Sequence, residues 1–124
     1  MRLLICGDRN WKDKELIHMY VKHYNPSIII EGEAKGADSL AREVGESLGI
    51  LVEKYPADWT THGKKAGPIR NNQMLKEGKP DMVIGFHDDL ESSKGTKHML
   101  KISVKAKIKT LHVSHRRETD LTEE

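Results

Sequence analysis

Cysteine is nearly absent. Cys6 is the single one in 124 residues, which excludes an intramolecular disulfide and a cysteine-rich zinc site. It sits in the apolar run Leu3-Leu4-Ile5-Cys6, the setting of a buried, inert thiol. No apolar stretch approaches the length of a membrane span or a signal-peptide core, and the chain passes from Met1-Arg2 straight into a strand-like run. These features predict no membrane association and a cytoplasmic location. A basic excess is also missing. Twenty-one Lys and Arg against nineteen Asp and Glu leave a net charge of +2, so any anion site must be local and nucleic acid is a disfavoured partner. No Gly-x-Ser-x-Gly or P-loop occurs, and the seven His show no pairing of metalloprotease type. The sequence therefore calls for no resident metal and no cofactor.

What is present is periodic. Short runs of β-branched and apolar residues alternate with helical stripes. Residues 2–6 end at Gly7, and Asp13 then caps a helix carrying Leu16, Ile17, Tyr20, Val21 and Tyr24 until Asn25-Pro26 stops it. Ile28-Ile29-Ile30 precedes a loop to Asp38 and the stripe Leu40, Ala41, Val44 and Leu48. Residues 50–55, 81–86 and 110–113 supply three more strands, with helices opened near Pro68 and at Gly95-Thr96. Strands apolar on both faces and separated by helices belong to a covered parallel sheet. The expected fold is α/β: a Rossmann-like three-layer α/β/α sandwich with a mostly parallel five-stranded sheet, ordered 3-2-1-4-5. One domain is expected over residues 1–113, with residues 114–124 as a charged, frayed tail in which only Leu121 is apolar.

In such sheets the loops at the carboxyl ends of the strands form the ligand crevice. Those loops hold Gly7 and Arg9 after strand one, Gly32, Gly36 and Asp38 after strand two, residues 56–71 after strand three, and residues 87–96 after strand four. Residues 55–74 form the longest stretch without strand or helix periodicity, and long loops inside small domains usually carry function. Gly32 and Gly36 suit either a tight turn or the approach of backbone N–H groups to a phosphate at a helix start, and Gly95-Thr96 offers a second such start. Asp38 suits a helix cap or a sugar hydroxyl. Arg9 and Arg70 suit bidentate recognition of phosphate, with a solvated surface arginine as the alternative for each. Trp11 and Trp59 can stack on a base or anchor a loop. His87-Asp88-Asp89 reads as a divalent-cation site or, more simply, an acidic solvent-facing loop.

Five segments together carry a resemblance: Gly7-x-Arg9-x-Trp11-x-Asp13; Gly32-x-Ala34-x-Gly36-Ala37-Asp38-x-Leu40-Ala41; Pro56-Ala57-Asp58-Trp59; Gly63-Lys64-x-Ala66-Gly67-Pro68-x-Arg70-Asn71-x-x-Met74; and Gly95-Thr96. Over residues 2–113 the chain resembles the SLOG superfamily, in particular its small single-domain YspA/YpsA-related branch found in bacteria and phages. The resemblance implies binding of a nucleotide or nucleotide-derived ligand, as a sensor or sequestering protein, by Gly7, Arg9, Gly32, Gly36, Asp38, Asp58, Trp59, Arg70, Asn71, Gly95 and Thr96. It also implies two alternatives: a phosphoribohydrolase of Lonely Guy type, and single-stranded DNA binding of DprA type. Relatives associate through helix faces, so a homodimer is compatible with it. The phosphoribohydrolase pattern is incomplete here. Its Pro-Gly-Gly is replaced by residues 87–94, and its catalytic Glu falls at Met99, which cannot handle a proton. Such an activity would need Arg70 with another carboxylate, Asp58, Asp88 or Glu33. Near-neutral charge argues against extensive single-stranded DNA binding.

Overall fold

A computed structural model describes residues 1–122. The apolar runs become strands β1 (Arg2–Gly7), β2 (Ile28–Glu31), β3 (Leu51–Lys54), β4 (Met82–Phe86) and β5 (Lys109–Val113), and a sixth strand, β6 (Glu118–Asp120), follows. The helices are α1 (Lys14–Tyr24), α2 (Ala37–Ser47), the short α3 (Trp59–His62), α4 (Ala66–Gly78) and α5 (Gly95–Lys105). The sheet order is β3-β2-β1-β4-β5-β6. The first five strands are parallel, and β6 runs antiparallel to β5. The Rossmann-like arrangement thus has six strands where five were expected.

Strand periodicity sorts the core onto two faces. Leu3, Ile5, Ile29, Ile84 and Phe86 pack with Ile17 and Val21 of α1 and Ala41 and Val44 of α2. Leu4, Cys6, Ile30 and Val83 pack with Met74 of α4 and Met99 and Leu100 of α5. Each fully buried aliphatic or aromatic side chain contributes about 1.5–3 kcal/mol, so both helical layers are held by the sheet between them. Two of the helices stop in the same way. Asn25 (φ 46°) and Lys79 (φ 47°) adopt the left-handed conformation at the ends of α1 and α4, and each precedes a proline.

Two expectations need correction. Residues 114–122 do not fray, while residues 123 and 124 of the expected tail lie outside the described residues. Ser114 N–H donates to the Arg117 carbonyl (2.9 Å) and turns the chain back along β5. Tyr20 Oη donates to Glu118 (2.7 Å), Asp120 pairs with Lys109, and Leu121 packs against the second core face. One apolar residue and a hairpin suffice because β5 offers an unpaired edge. The second correction concerns residues 55–74, which are mostly helical: α3, a 3-10 turn (Gly63–Lys65) and the first half of α4. The buried stripe of α4 is Ala66, Asn71, Met74 and Gly78. It includes an amide and a glycine, so its apolar periodicity is weak.

Candidate functional site

The carboxyl ends of the strands carry the loops that sequence reasoning singled out, and β1, between β2 and β4, lies at the point where strand order reverses. Gly36 knits two of these loops together. A Cβ there would lie 2.3 Å from the Asp8 carbonyl oxygen and 2.4 Å from the Arg9 carbonyl carbon. The Asp8 carbonyl accepts from Ala37 N–H (3.1 Å) and Trp11 N–H (3.0 Å), fixing the start of α2 on the β1 loop. Gly7 is similarly confined, since a Cβ would meet the Phe86 carbonyl oxygen at 2.3 Å. Arg9 is exposed and borders an open depression with Trp11, Lys12, Gly36 and Leu40.

On the β2 side the centre is Arg70. Its Nη1 donates to the Gly32 carbonyl, and its Nε donates to Asn71 Oδ1 at 3.0 Å. Asn71 is buried and donates through Nδ2 toward His98 Nδ1 (3.1 Å) and the Gly95 carbonyl (3.4 Å). That contact places the His98 proton on Nε2, and burial, with Lys101 nearby, lowers the tendency of His98 to charge. Asn71 therefore positions the guanidinium and ties α4 to α5.

Asp38, also buried, accepts through Oδ2 from Gly32 N–H (3.1 Å) and Ala34 N–H (3.2 Å). Burial pushes its carboxyl up to about 6, against the pull of those amides and of Arg70. Asp38 is the second residue of α2, whose cap is Gly36, and it braces the loop from inside. Gly32 is squeezed between the two charges: a Cβ would lie 2.4 Å from Arg70 Nη1 and 3.0 Å from Asp38 Oδ2. Cys6 is buried nearby, and desolvation with the Asp38 charge pushes its thiol up, so it is inert.

The start of α5 is partly occupied by the protein itself. Ser93 Oγ accepts from Thr96 N–H (3.1 Å) and Lys97 N–H (3.4 Å). Thr96 is buried, while Gly95 is exposed with open space where a Cβ would stand. Asp58 caps α3 by accepting from Thr61 N–H (3.1 Å), and the Thr61 side chain first, with this bond second, holds its carboxyl below the usual range. Trp59 is exposed, its ring edge 3.5 Å from the Cβ position of Gly67. Both stand on an exposed segment preceding the helix that carries Arg70.

Three residues were missed by sequence reasoning: His98, Glu31 and His115. Glu31 ends β2 fully buried. Its Oε1 accepts from Glu33 N–H, and its Oε2 has no hydrogen-bond partner. Desolvation first, with Asp38 and Glu33 charges adding, pushes it up to about 7 from an ordinary 4.5. The signal was a charge closing the apolar run Ile28-Ile29-Ile30, and it points to a testable effect. The folded protein holds the extra proton between pH 4.5 and 7, so Glu31 lowers stability as pH rises through that window. Glu31→Gln does not titrate. Its unfolding free energy relative to wild type should improve by about 1–3 kcal/mol between pH 4.5 and pH 8, measured by urea unfolding at each pH.

On the β4 side Trp11 is buried and donates through Nε1 to the Asp13 carbonyl (2.9 Å), so it anchors its loop. The His115 imidazole stacks on it, with ring centroids 4.5 Å apart and an 8° interplanar angle. His115 Nδ1 lies 2.7 Å from Asp88 Oδ2, and Nε2 lies 2.8 Å from Asp13 Oδ2. The Asp88 bond and then the Asp13 bond favour the charged imidazolium; the imidazole holds the Asp13 carboxyl low, and Asp88 is held low first by the His115 backbone N–H (2.7 Å) and then by the imidazole. His87 is buried with Nε2 3.9 Å from Asp8 Oδ2. Among the described residues no group of three His, Cys, Asp or Glu could hold a metal ion, and no helix is long and apolar enough to cross a membrane.

Comparison with known proteins adds two findings. Residues 1–62 match the YspA, cpYpsA-related SLOG family. The chain is also similar to the Gene 61 protein of Mycobacterium phage D29, with 34% identity over 121 aligned residues that cover 90% of this chain and 94% of that protein. Arg70, Asn71 and the start of α5 lie beyond the residues matched to the family.

Proposed function

The chain belongs to the YspA, cpYpsA-related SLOG family, and from that membership and its crevice we propose that it binds a nucleotide or nucleotide-derived ligand, as a sensor or sequestering protein. The supporting observation is the preorganised guanidinium of Arg70. Two of its nitrogens are fixed by Gly32 and Asn71, and its second terminal nitrogen carries no hydrogen bond to the described residues. A guanidinium already ordered by the fold loses little freedom on meeting a phosphate. Arg9, Gly95, and Asp58 with Trp59 on the neighbouring segment then border the ligand.

Thermal shift with a panel of nucleotides and ADP-ribose-like compounds tests this reading. A ligand at a hundred times its dissociation constant should stabilise the protein by about 2.7 kcal/mol. Loss of a hydrogen-bonded charge contact in Arg70→Ala should cost about 1.5–3 kcal/mol of binding, roughly 10–100-fold in affinity. Gly32→Ala gives an independent check. Its methyl would strike the end of the flexible Arg70 side chain first and lie 3.0 Å from the buried Asp38 Oδ2, so the guanidinium should be displaced and binding weakened with the fold kept. No stabilisation by any member of the panel would refute the proposal.

The phosphoribohydrolase reading has one observation in its favour. Asp38 and the Arg70 guanidinium face each other across Gly32, and burial raises the Asp38 carboxyl, whereas Asp58 caps α3 and Asp88 holds His115. Release of free base from nucleoside monophosphates, lost in Asp38→Asn while stability and nucleotide binding are kept, would establish it.

A further inference from the structure

The stacked His115 occupies a place that a planar ligand would fit. We propose that Trp11, Asp13 and Asp88 form a nucleobase subsite, held closed in the free protein by the imidazole of His115. The inference rests on the nucleotide-binding reading above and assigns the base to the β4 side of the crevice.

The geometry supports the assignment in three ways. First, the ring of His115 lies flat on Trp11, at 4.5 Å and 8°, within the separation that aromatic stacking uses and in the parallel geometry by which single bases are held on tryptophan. Second, both edges of that ring meet carboxylate oxygens, Asp88 Oδ2 and Asp13 Oδ2. A ring sandwiched on one face and gripped by acceptors at its two edges is held as an amino-bearing base would be, through stacking and N–H donation. Third, these groups line one depression together with Asp8, Asn10 and Lys12, where strand order reverses. The charged neighbours are Asp8 and Lys12, and the His87 imidazole, just after β4, lies with Nε2 3.9 Å from Asp8 Oδ2.

The occupant is separable from the scaffold. Trp11 is fixed by its own loop and by Phe86, with ring centroids 5.7 Å apart, and Asp13 is fixed as the cap of α1 through Leu16 N–H. His115 comes instead from the turn joining β5 to β6, and its side chain is about half exposed (48%). The His115 backbone N–H donates to Asp88 Oδ1 (2.7 Å) and keeps the turn in place, so rotation of the imidazole alone would uncover the indole face and free Asp88 Oδ2 and Asp13 Oδ2. The acceptors are carboxylates, so the ligand class is a base with an exocyclic amino group, as in adenine, guanine or cytosine.

Trp11 and Trp59 are the two tryptophans, so a Trp59→Phe background leaves Trp11 as the reporter. Its fluorescence is titrated with adenosine, guanosine, cytidine and uridine, which carry no phosphate. His115→Ala should bind an amino-bearing nucleoside at least tenfold tighter than the His115 protein, with quenching of Trp11, and imidazole should compete. His115→Phe retains a stacked ring and should stay as weak as the parent. His115→Gln removes the stack while keeping one hydrogen bond, and should gain affinity as the alanine variant does. Equal affinity with and without the histidine, gains in His115→Phe matching those in His115→Ala, or no quenching by any nucleoside in any variant would each overturn the proposal. The same titration in Arg70→Ala separates the two readings. Nucleoside binding should persist there even if phosphate recognition by Arg70 fails, and nucleotide binding through Arg70 can stand without a base on Trp11.

Discussion

Gly36→Ala should destabilise the protein by about 3–4 kcal/mol and lower its melting temperature by about 10 °C or more. Two effects combine. The residue sits at φ 74° and ψ −123°, a conformation that side chains rarely adopt. The added methyl would also fall 2.3 Å from the Asp8 carbonyl oxygen and 2.4 Å from the Arg9 carbonyl carbon. These are backbone atoms, so no rotamer change relieves the contact, and the β1 loop must leave the start of α2. The hydrogen bond from Ala37 N–H to the Asp8 carbonyl is lost with it. Arg9 and Trp11 stand on that loop, so ligand binding should fall alongside stability. Gly49→Ala is the control. Its φ is 71°, but nothing lies within 4 Å of the new methyl, so only the conformational cost of about 1–2 kcal/mol remains. Urea unfolding of both variants measures the difference, and equal losses would show that crowding at Gly36 contributes nothing.

Met99→Glu should cost about 3–5 kcal/mol at neutral pH and should confer no hydrolysis. Met99 occupies the position of the catalytic Glu in the phosphoribohydrolase pattern, yet it is 1% exposed and packs with Leu4, Ile30, Met74 and Leu100. A carboxylate there is buried without a partner, so its folded pKa rises above the unfolded value of about 4.3. The folded state then holds the extra proton, and stability falls as pH rises above that value. At pH 4 the ionisation penalty is small, and by pH 7.5 it is large. Unfolding at the two values, with an assay for released base, checks both halves. Activity in this variant would show that α5 can turn position 99 toward the crevice.

The two substitutions mark how far local pattern reaches. Apolar runs such as Ile28-Ile29-Ile30 and stripes such as Leu40, Ala41 and Val44 are visible along the chain. They carried the strands, the parallel order from β3 to β5 and the edge of the sheet at which the candidate site stands. The helix from Pro68 was legible, but its buried stripe was blurred because Asn71 and Gly78 take places that hydropathy assigns to apolar residues. The Asn71 amide joins Arg70 to His98, a link that residue type alone does not disclose. Asp38 likewise braces the amides of Gly32 and Ala34.

The sequence by itself determined the α/β architecture, because hydrophobic period and helix caps act over a few residues, and its loop motifs carried the resemblance to the family. The tertiary structure alone decided which polar groups meet. Arg70 finds a carbonyl 38 residues away at Gly32, and His115 finds Asp88 and Asp13 at separations of 27 and 102. A buried or stacked polar group must be satisfied by whatever the fold brings beside it. That partner depends on how distant strands end at one edge of the sheet, which no local pattern records. A tail expected to fray thus became β6, and its turn delivered His115 to Trp11.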